Sequence, residues 1–509
     1  MDNSKQIKFG ALLSYIAIAF NIVSGLLYTP WMVEAIGKSQ YGLFTLANSV
    51  IILFLMDFGL SSATGRYLAK YNAAGDKEGA ERFLGAVYKL YLILDVAILC
   101  VLTVVFFLID GIYVNLTPEE LSQFKVVYVI SALFSVINFP FVTFNGILTA
   151  YEKFVPLKLA DLLYRVFNIV FTVVALLLGY GLYALVTVHA VVGLLNVACK
   201  YIVVRRTVPI KANFRLSEQG IYKDIFGFSL WITVSSLAQR LIFNITPSIL
   251  GIVANSAEIA VFGVVTTIEG YAYTITTAIS GLFMSRIAKI MAGDRAKEAL
   301  NRLFISVGRF QMVINGLIVA GFTVVGRHFI QLWMGEGYAQ AYNGILMILI
   351  PGLFYNPLQI ANTAMEVEKK VKSVALVSVV TGIINVILSF PLSKMFGVTG
   401  ACISICVAYF VRDVLLHIIY HRELPLDIRA FMKVCYGRSA APILLTLLCG
   451  AVMNHFVPDA GWLMLVLKGL VVVVIYLLTT ALFSLEKRER EAIAMRLKRG
   501  CAEKTETEG

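Results

Sequence analysis

The chain has 509 residues, of which 59% are hydrophobic and 15% charged, and its mean hydropathy is +0.82. So little charge cannot keep the surface of a soluble protein this large in water, which leaves a polytopic membrane protein. The net charge of +12 is explained by its placement along the chain, described below, and calls for no nucleic-acid partner.

Apolar runs long enough to cross ~30 Å of hydrocarbon as helices recur from end to end. The spans are predicted near 9–33, 41–65, 84–110, 122–149, 157–178, 182–204, 222–252, 258–284, 303–326, 338–364, 372–394, 399–420, 437–457 and 462–484. A membrane β-barrel would instead show short segments of alternating polarity. The first run is too long for a signal-peptide core and lacks a small-residue cleavage site, so it stays as a span.

Span 1 carries Pro30, a bend point. Span 2 carries Asp57, with Ser61 four residues on as a local partner, and leaves through Arg66 into a basic segment. That stretch, 57–83, reads DFGLSSATGRYLAKYNAAGDKEGAERF. Span 3 holds Asp95, and span 4 holds Pro140 and Asn145. Span 5 opens with Asp161 and Arg165, four residues apart and read as an ion pair at the inner edge. His189 stands alone in span 6, where it reads as a hydrogen-bonded packing residue.

Residues 205–221 form a polar inner linker, after which the pattern restarts. Thr246-Pro247 lies 217 residues after Thr29-Pro30, and Pro357 and Asn362 lie 217 after Pro140 and Asn145. With only 12 prolines in the chain, two pairs at one offset point to an internal repeat. Span 8 carries Glu269 and runs into 280–304, SGLFMSRIAKIMAGDRAKEALNRLF, in which Arg286 answers to Arg66, Gly293-Asp294 to Gly75-Asp76, and Arg302 to Arg82. Each repeat holds six spans, an even number, so the two run parallel about an axis along the membrane normal. The expected architecture is therefore all-α with 14 transmembrane helices: an N-lobe 1–204, a C-lobe 222–421, two extra helices in 422–484 and a charged tail 485–509. The tail reads as a topology anchor or a short amphipathic helix on the inner leaflet.

With the N-terminus inside, 37 of the 43 lysines and arginines fall in inner segments and the adjoining span ends. This bias places both termini in the cytoplasm.

Four charges are expected at membrane depth: Asp57, Asp95, Arg240 and Glu269. Arg240 is the sharpest of them. A lone arginine there costs on the order of 2.5–3.5 kcal/mol, so it must face a cavity or a partner. Glu269 is the partner expected from depth alone. No P-loop and no DxD pair is present, so no catalytic residue, metal or cofactor is expected, and the chain does not read as an enzyme. The seven cysteines lie outside the expected outer loops and call for no disulfide.

Two six-span halves with two further C-terminal helices resemble the multidrug/oligosaccharidyl-lipid/polysaccharide exporter superfamily. Within it, DFGLSSATGRYLAKYNAAGDKE and SRIAKIMAGDRAKEA are similar to the inner ends of spans 2 and 8 of the O-antigen and exopolysaccharide flippase branch. The resemblance implies alternating access around a central cavity and export of a polyprenyl-diphosphate-linked oligosaccharide across the inner (plasma) membrane. Its partners would be the lipid-linked substrate, membrane lipids and other polysaccharide-assembly proteins. Diphosphate would be held by Arg240 or, at the cytoplasmic mouth, by Arg66, Arg165, Arg286 or Arg412, with Pro30 and Pro247 as hinges. The alternative is a multidrug exporter of the same fold coupled to H⁺ or Na⁺ through Asp57, Asp95 and Glu269. A membrane enzyme of polysaccharide assembly has the least support.

Overall fold

A computed structural model describes residues 3–214, 219–278, 283–293 and 295–484. The charged tail 485–509, linker residues 215–218, the opening of the second basic stretch at 280–282 and Asp294 lie outside the described residues. The chain forms two compact units, Met1–Thr267 with Val371–Arg412, and Ile268–Lys370 with Asp413–Gly509.

The first unit begins with α1 (Asn3–Ile36), α2 (Lys38–Phe54), α3 (Leu60–Ala73), α4 (Lys77–Ile112), α5 (Pro118–Asn138), α6 (Thr143–Ala150), α7 (Phe154–Leu177) and α8 (Leu182–Thr207). It continues with α9 (Gln219–Phe243), α10 (Thr246–Val253) and the start of α11 (Ser256–Thr277). Pro30 sits inside α1, which runs through it unbroken. Pro247 instead opens α10 after a two-residue break from α9. Span 2, expected as one helix, is two: the chain leaves α2 at Leu55, passes Phe58 and Gly59 at positive φ, and restarts as α3. Linker residues 208–214 lie along α4, where Asn213 donates its backbone N–H to the Glu81 carbonyl at 3.0 Å and Lys211 donates to the Glu81 carboxylate at 3.1 Å.

The second unit contains α12 (Met284–Met291), the 39-residue α13 (Ala296–Met334), α14 (Gln340–Tyr355) and α15 (Gln359–Val367). It ends with α17 (Ile428–Phe431), a wide π turn over Met432–Gly437, α18 (Arg438–Phe456) and α19 (Gly461–Phe483). Both α18 and α19 pack on α13. The buried Lys468 ammonium pins their connection by donating to Asn454 Oδ1 at 3.1 Å, the Val457 carbonyl at 2.8 Å and Asp459 Oδ1 at 2.7 Å.

Between α15 and α17 runs α16 (Val371–Glu423), 53 residues bent at Gly397, where φ is 57°. A side chain at Gly397 would meet the Glu258 carboxylate, which accepts from the Val398 N–H at 2.7 Å, so the bend needs glycine for space as well as for φ.

Among the described residues, 12 helices are long and apolar enough to cross a membrane. The 53-residue α16 holds two spans and the broken pair α2–α3 supplies another, which is consistent with 14. Large apolar side chains such as Phe107, Leu463 and Leu177 are exposed along these helices, the surface expected against lipid. The 217-residue offset has local counterparts as well. Pro140 and Pro357 each sit in a 3₁₀ turn that interrupts a helix. Glu152 and Lys369, 217 apart, each end their helix in the left-handed region at φ 55° and 60°.

Candidate functional site

The break between α2 and α3 exposes backbone that a continuous helix would satisfy internally. At membrane depth such backbone survives only inside protein or beside a water-filled cavity. Asp57 meets part of the need, accepting from the Gly59 N–H at 3.0 Å and the Ser61 N–H at 3.4 Å. The partnership expected with Ser61 is therefore made through its backbone. α9 packs against both α2 and α3 and brings Arg240 within electrostatic reach of Asp57. Arg240 is half-buried, and its Nη1 is buried with no hydrogen-bond partner among the described residues. A fixed cation with an unused donor thus stands beside a discontinuous helix, an arrangement suited to an anionic group. Asn385 of α16 holds the C-terminal end of α9, donating to the Leu241 carbonyl at 3.1 Å.

A second polar group lies between α1, α7 and α8. Asn21, Asp161, Tyr164, Arg165, Asn168, His189 and Asn196 line a cavity of about 520 Å³. His189 is within 3.2 Å of the Tyr164 hydroxyl and 3.3 Å of the Asn168 amide, so it is hydrogen-bonded as expected, but it also faces open space. The expected Asp161–Arg165 pair does not form. Asp161 instead pairs with the buried Lys200 at 2.7 Å, which also donates to Asn145 Oδ1 at 2.9 Å. The long lysine stem reaches from α8 along the apolar face while Arg165 stays exposed at the cavity edge. Amides, a phenol and an imidazole around one cavity are groups that pair with hydroxyl-rich ligands.

Asp95 on α4 is half-buried, with Oδ1 lacking a hydrogen-bond partner among the described residues. Arg66 and Arg286 are exposed. Arg412 is buried, with its guanidinium 3.8 Å from the centre of the Tyr409 ring. Glu269 belongs to the second unit, and Asp57 of the first lies within electrostatic reach of Arg240.

A family model described as polysaccharide biosynthesis protein matches residues 10–291. The chain belongs to that family. Over 204 residues it is 24% identical to a putative O-antigen transporter of Shigella flexneri, covering 40% of this chain and 47% of the relative, about half its length. Its fold is similar to that of the lipid II flippase MurJ in an inward closed conformation, with a TM-score of 0.74 at 12% identity, covering 93% of this chain and 98% of that one. It is also similar to an inward-facing multidrug resistance MATE family transporter of the MOP superfamily, at 0.69 and 15% identity over 83% and 99% of the two chains. At these identities the likeness is one of fold. The family match covers α2, α3 and α9, and with them Asp57 and Arg240.

In this polysaccharide biosynthesis family member, sequence reasoning missed Lys200 as a site residue, because a lysine near a span end reads as a topology signal. It also missed Asn21, Tyr164 and Asn196, whose residue types carry no signal until three helices bring them together.

Proposed function

We propose that this multi-pass membrane protein is a flippase. It moves a polyprenyl-diphosphate-linked oligosaccharide from the cytoplasmic to the outer face of the inner membrane by alternating access, for surface polysaccharide assembly. The observation that carries the reading is Arg240, set with an unmatched donor beside a broken helix in a polysaccharide biosynthesis protein whose fold is like that of a lipid II flippase. Arg240 takes the diphosphate, and the polar cavity around His189, Asn168 and Asn21 takes sugar hydroxyls. Both termini are cytoplasmic, the six-span halves 1–204 and 222–421 are the moving lobes with Pro30 and Pro247 as hinges, and α18–α19 guide the prenyl chain. The protein performs no chemistry on the substrate.

A second reading, a cation-coupled multidrug exporter, is favoured by the likeness to a MATE transporter and by the acids Asp57, Asp95 and Glu269. The two separate in a strain lacking the protein. The flippase reading expects lipid-linked oligosaccharide to accumulate inside, surface polysaccharide to fall and drug tolerance to stay unchanged. Unchanged polysaccharide with lowered drug tolerance would replace it with the second.

A further inference from the structure

The basic segment after span 2 and its repeat after span 8 share a helix–turn–helix form, α3–α4 in one half and α12–α13 in the other. Their clefts are filled differently. In the first, Tyr67 and Tyr71 of α3 close on Phe83 of α4, with ring centroids 5.3 and 6.0 Å apart. In the second, the residue after the matched Arg286 is Ile287, the residue five after it is Met291, and the residue after the matched Arg302 is Leu303. Three aromatic rings have become aliphatic side chains, and a cavity of about 600 Å³ remains between α12 and α13.

That cavity is lined by Arg286 of α12 and by Arg295, Glu298, Arg302 and Ser306 at the start of α13. Among the described residues, three fixed cations face one acid. Among the described residues none of the three arginines has a carboxylate within ion-pair distance. Three like charges beside a single acid repel one another, and a bound anion lowers that cost. Arginine forks match phosphate oxygens two at a time, and the first turn of α13 adds its own partial positive charge. Ser306 supplies a neutral donor one turn beyond Arg302.

We propose that the α12–α13 cleft is a phosphate-binding site, on the face that the basic residues mark as cytoplasmic. Its ligand is a phosphate or diphosphate monoester or diester presented at the membrane surface. Two sources share that chemistry, an anionic phospholipid headgroup and a prenyl diphosphate. The site is separate from Arg240, and its occupancy is read by binding alone, so the outcome here and that of the export reading are independent.

The test uses the full chain in phosphatidylcholine nanodiscs, titrated with farnesyl diphosphate and, in parallel, assembled with phosphatidylglycerol and examined by native mass spectrometry. The Arg286→Gln/Arg295→Gln/Arg302→Gln variant should lose about tenfold or more in affinity for whichever probe fills the cleft. The corresponding triple lysine variant keeps part of it and serves as the folded control. Arg82→Gln, at the matched position of the filled cleft, should leave binding within about twofold. Loss confined to farnesyl diphosphate identifies a prenyl diphosphate site, and loss confined to retained phosphatidylglycerol identifies a lipid site. Equal binding of both probes by wild type and the folded triple glutamine variant would overturn the proposal.

Discussion

Ser39 and Ser256 stand 217 residues apart, the repeat offset of the chain, and their hydroxyls meet at 3.1 Å. The contact joins the start of α2 to the start of α11. The Glu120 carboxylate joins them, accepting from both hydroxyls, while its other oxygen accepts from the Thr117 N–H at 2.9 Å in a capping box at the start of α5. Packing there is close, since a side chain on Gly42 would collide with the Ser256 carbonyl. Nearby, the Tyr113 hydroxyl donates to Ser248 at 3.3 Å, and Asn115 donates to the Ile252 carbonyl. These contacts hold the ends of first-half and second-half helices together within one unit.

Alternating access requires that latch to open. In a background without the seven native cysteines, Ser39→Cys with Ser256→Cys should form a disulfide on mild oxidation, because the side-chain oxygens that the sulfurs replace already lie 3.1 Å apart. Export should stop on oxidation and return on reduction. Full export by a demonstrably cross-linked protein would show that this contact never parts during transport.

Arg240 is tested by charge and by fork geometry. Arg240→Lys keeps the charge and loses bidentate pairing, so export should fall partway; Arg240→Met should lower it by about tenfold or more at normal membrane abundance. A purely structural role predicts a different pattern. Arg240→Met would then lower abundance, and Arg240→Met with Asp57→Asn would restore both abundance and export. Wild-type export by Arg240→Met at normal abundance removes the ligand role.

Much of this was legible in the sequence because run length and proline position are local properties. The spans, the two prolines in 3₁₀ turns and the paired basic segments could all be read directly. The break in span 2 could not, because Leu55–Gly59 lies in an apolar stretch that hydropathy does not divide. Depth along a helix suggested Glu269 as the partner of Arg240, but depth says nothing about which helix faces which, and α2 and α3, with Asp57 between them, are among the helices that pack on α9. Asp161 was assigned a neighbour one turn away, whereas a lysine 39 positions on reaches it from the next helix. The Ser39–Ser256 contact was within reach, since both fall at the repeat offset, but serines carry no pattern that would single them out.

The topology prediction rests on the charge bias alone. Reporter fusions at Gly75, Gln219 and Gly293 should each report the cytoplasm. A single outer signal from any of the three would break the fourteen-span map at that point.

The Lys200–Asp161 pair separates stability from binding. Lys200 is almost fully enclosed, while the Asp161 side chain is 38% exposed, so the two single variants are unequal. Asp161→Asn leaves an enclosed ammonium with Asn145 as its remaining partner and should cost at most about 3 kcal/mol, read as lower thermal stability in detergent. Lys200→Met leaves a carboxylate that water can reach, so its cost should be smaller. The double variant strands neither charge and should recover most of the loss. If Asp161→Asn melts with the wild type, the pair does not stabilise the fold. Export adds the second readout. A double variant that is stable but exports poorly places the pair among the groups that hold substrate in the α1–α7–α8 cavity, whereas recovery of stability and export together confines it to holding α7 against α8.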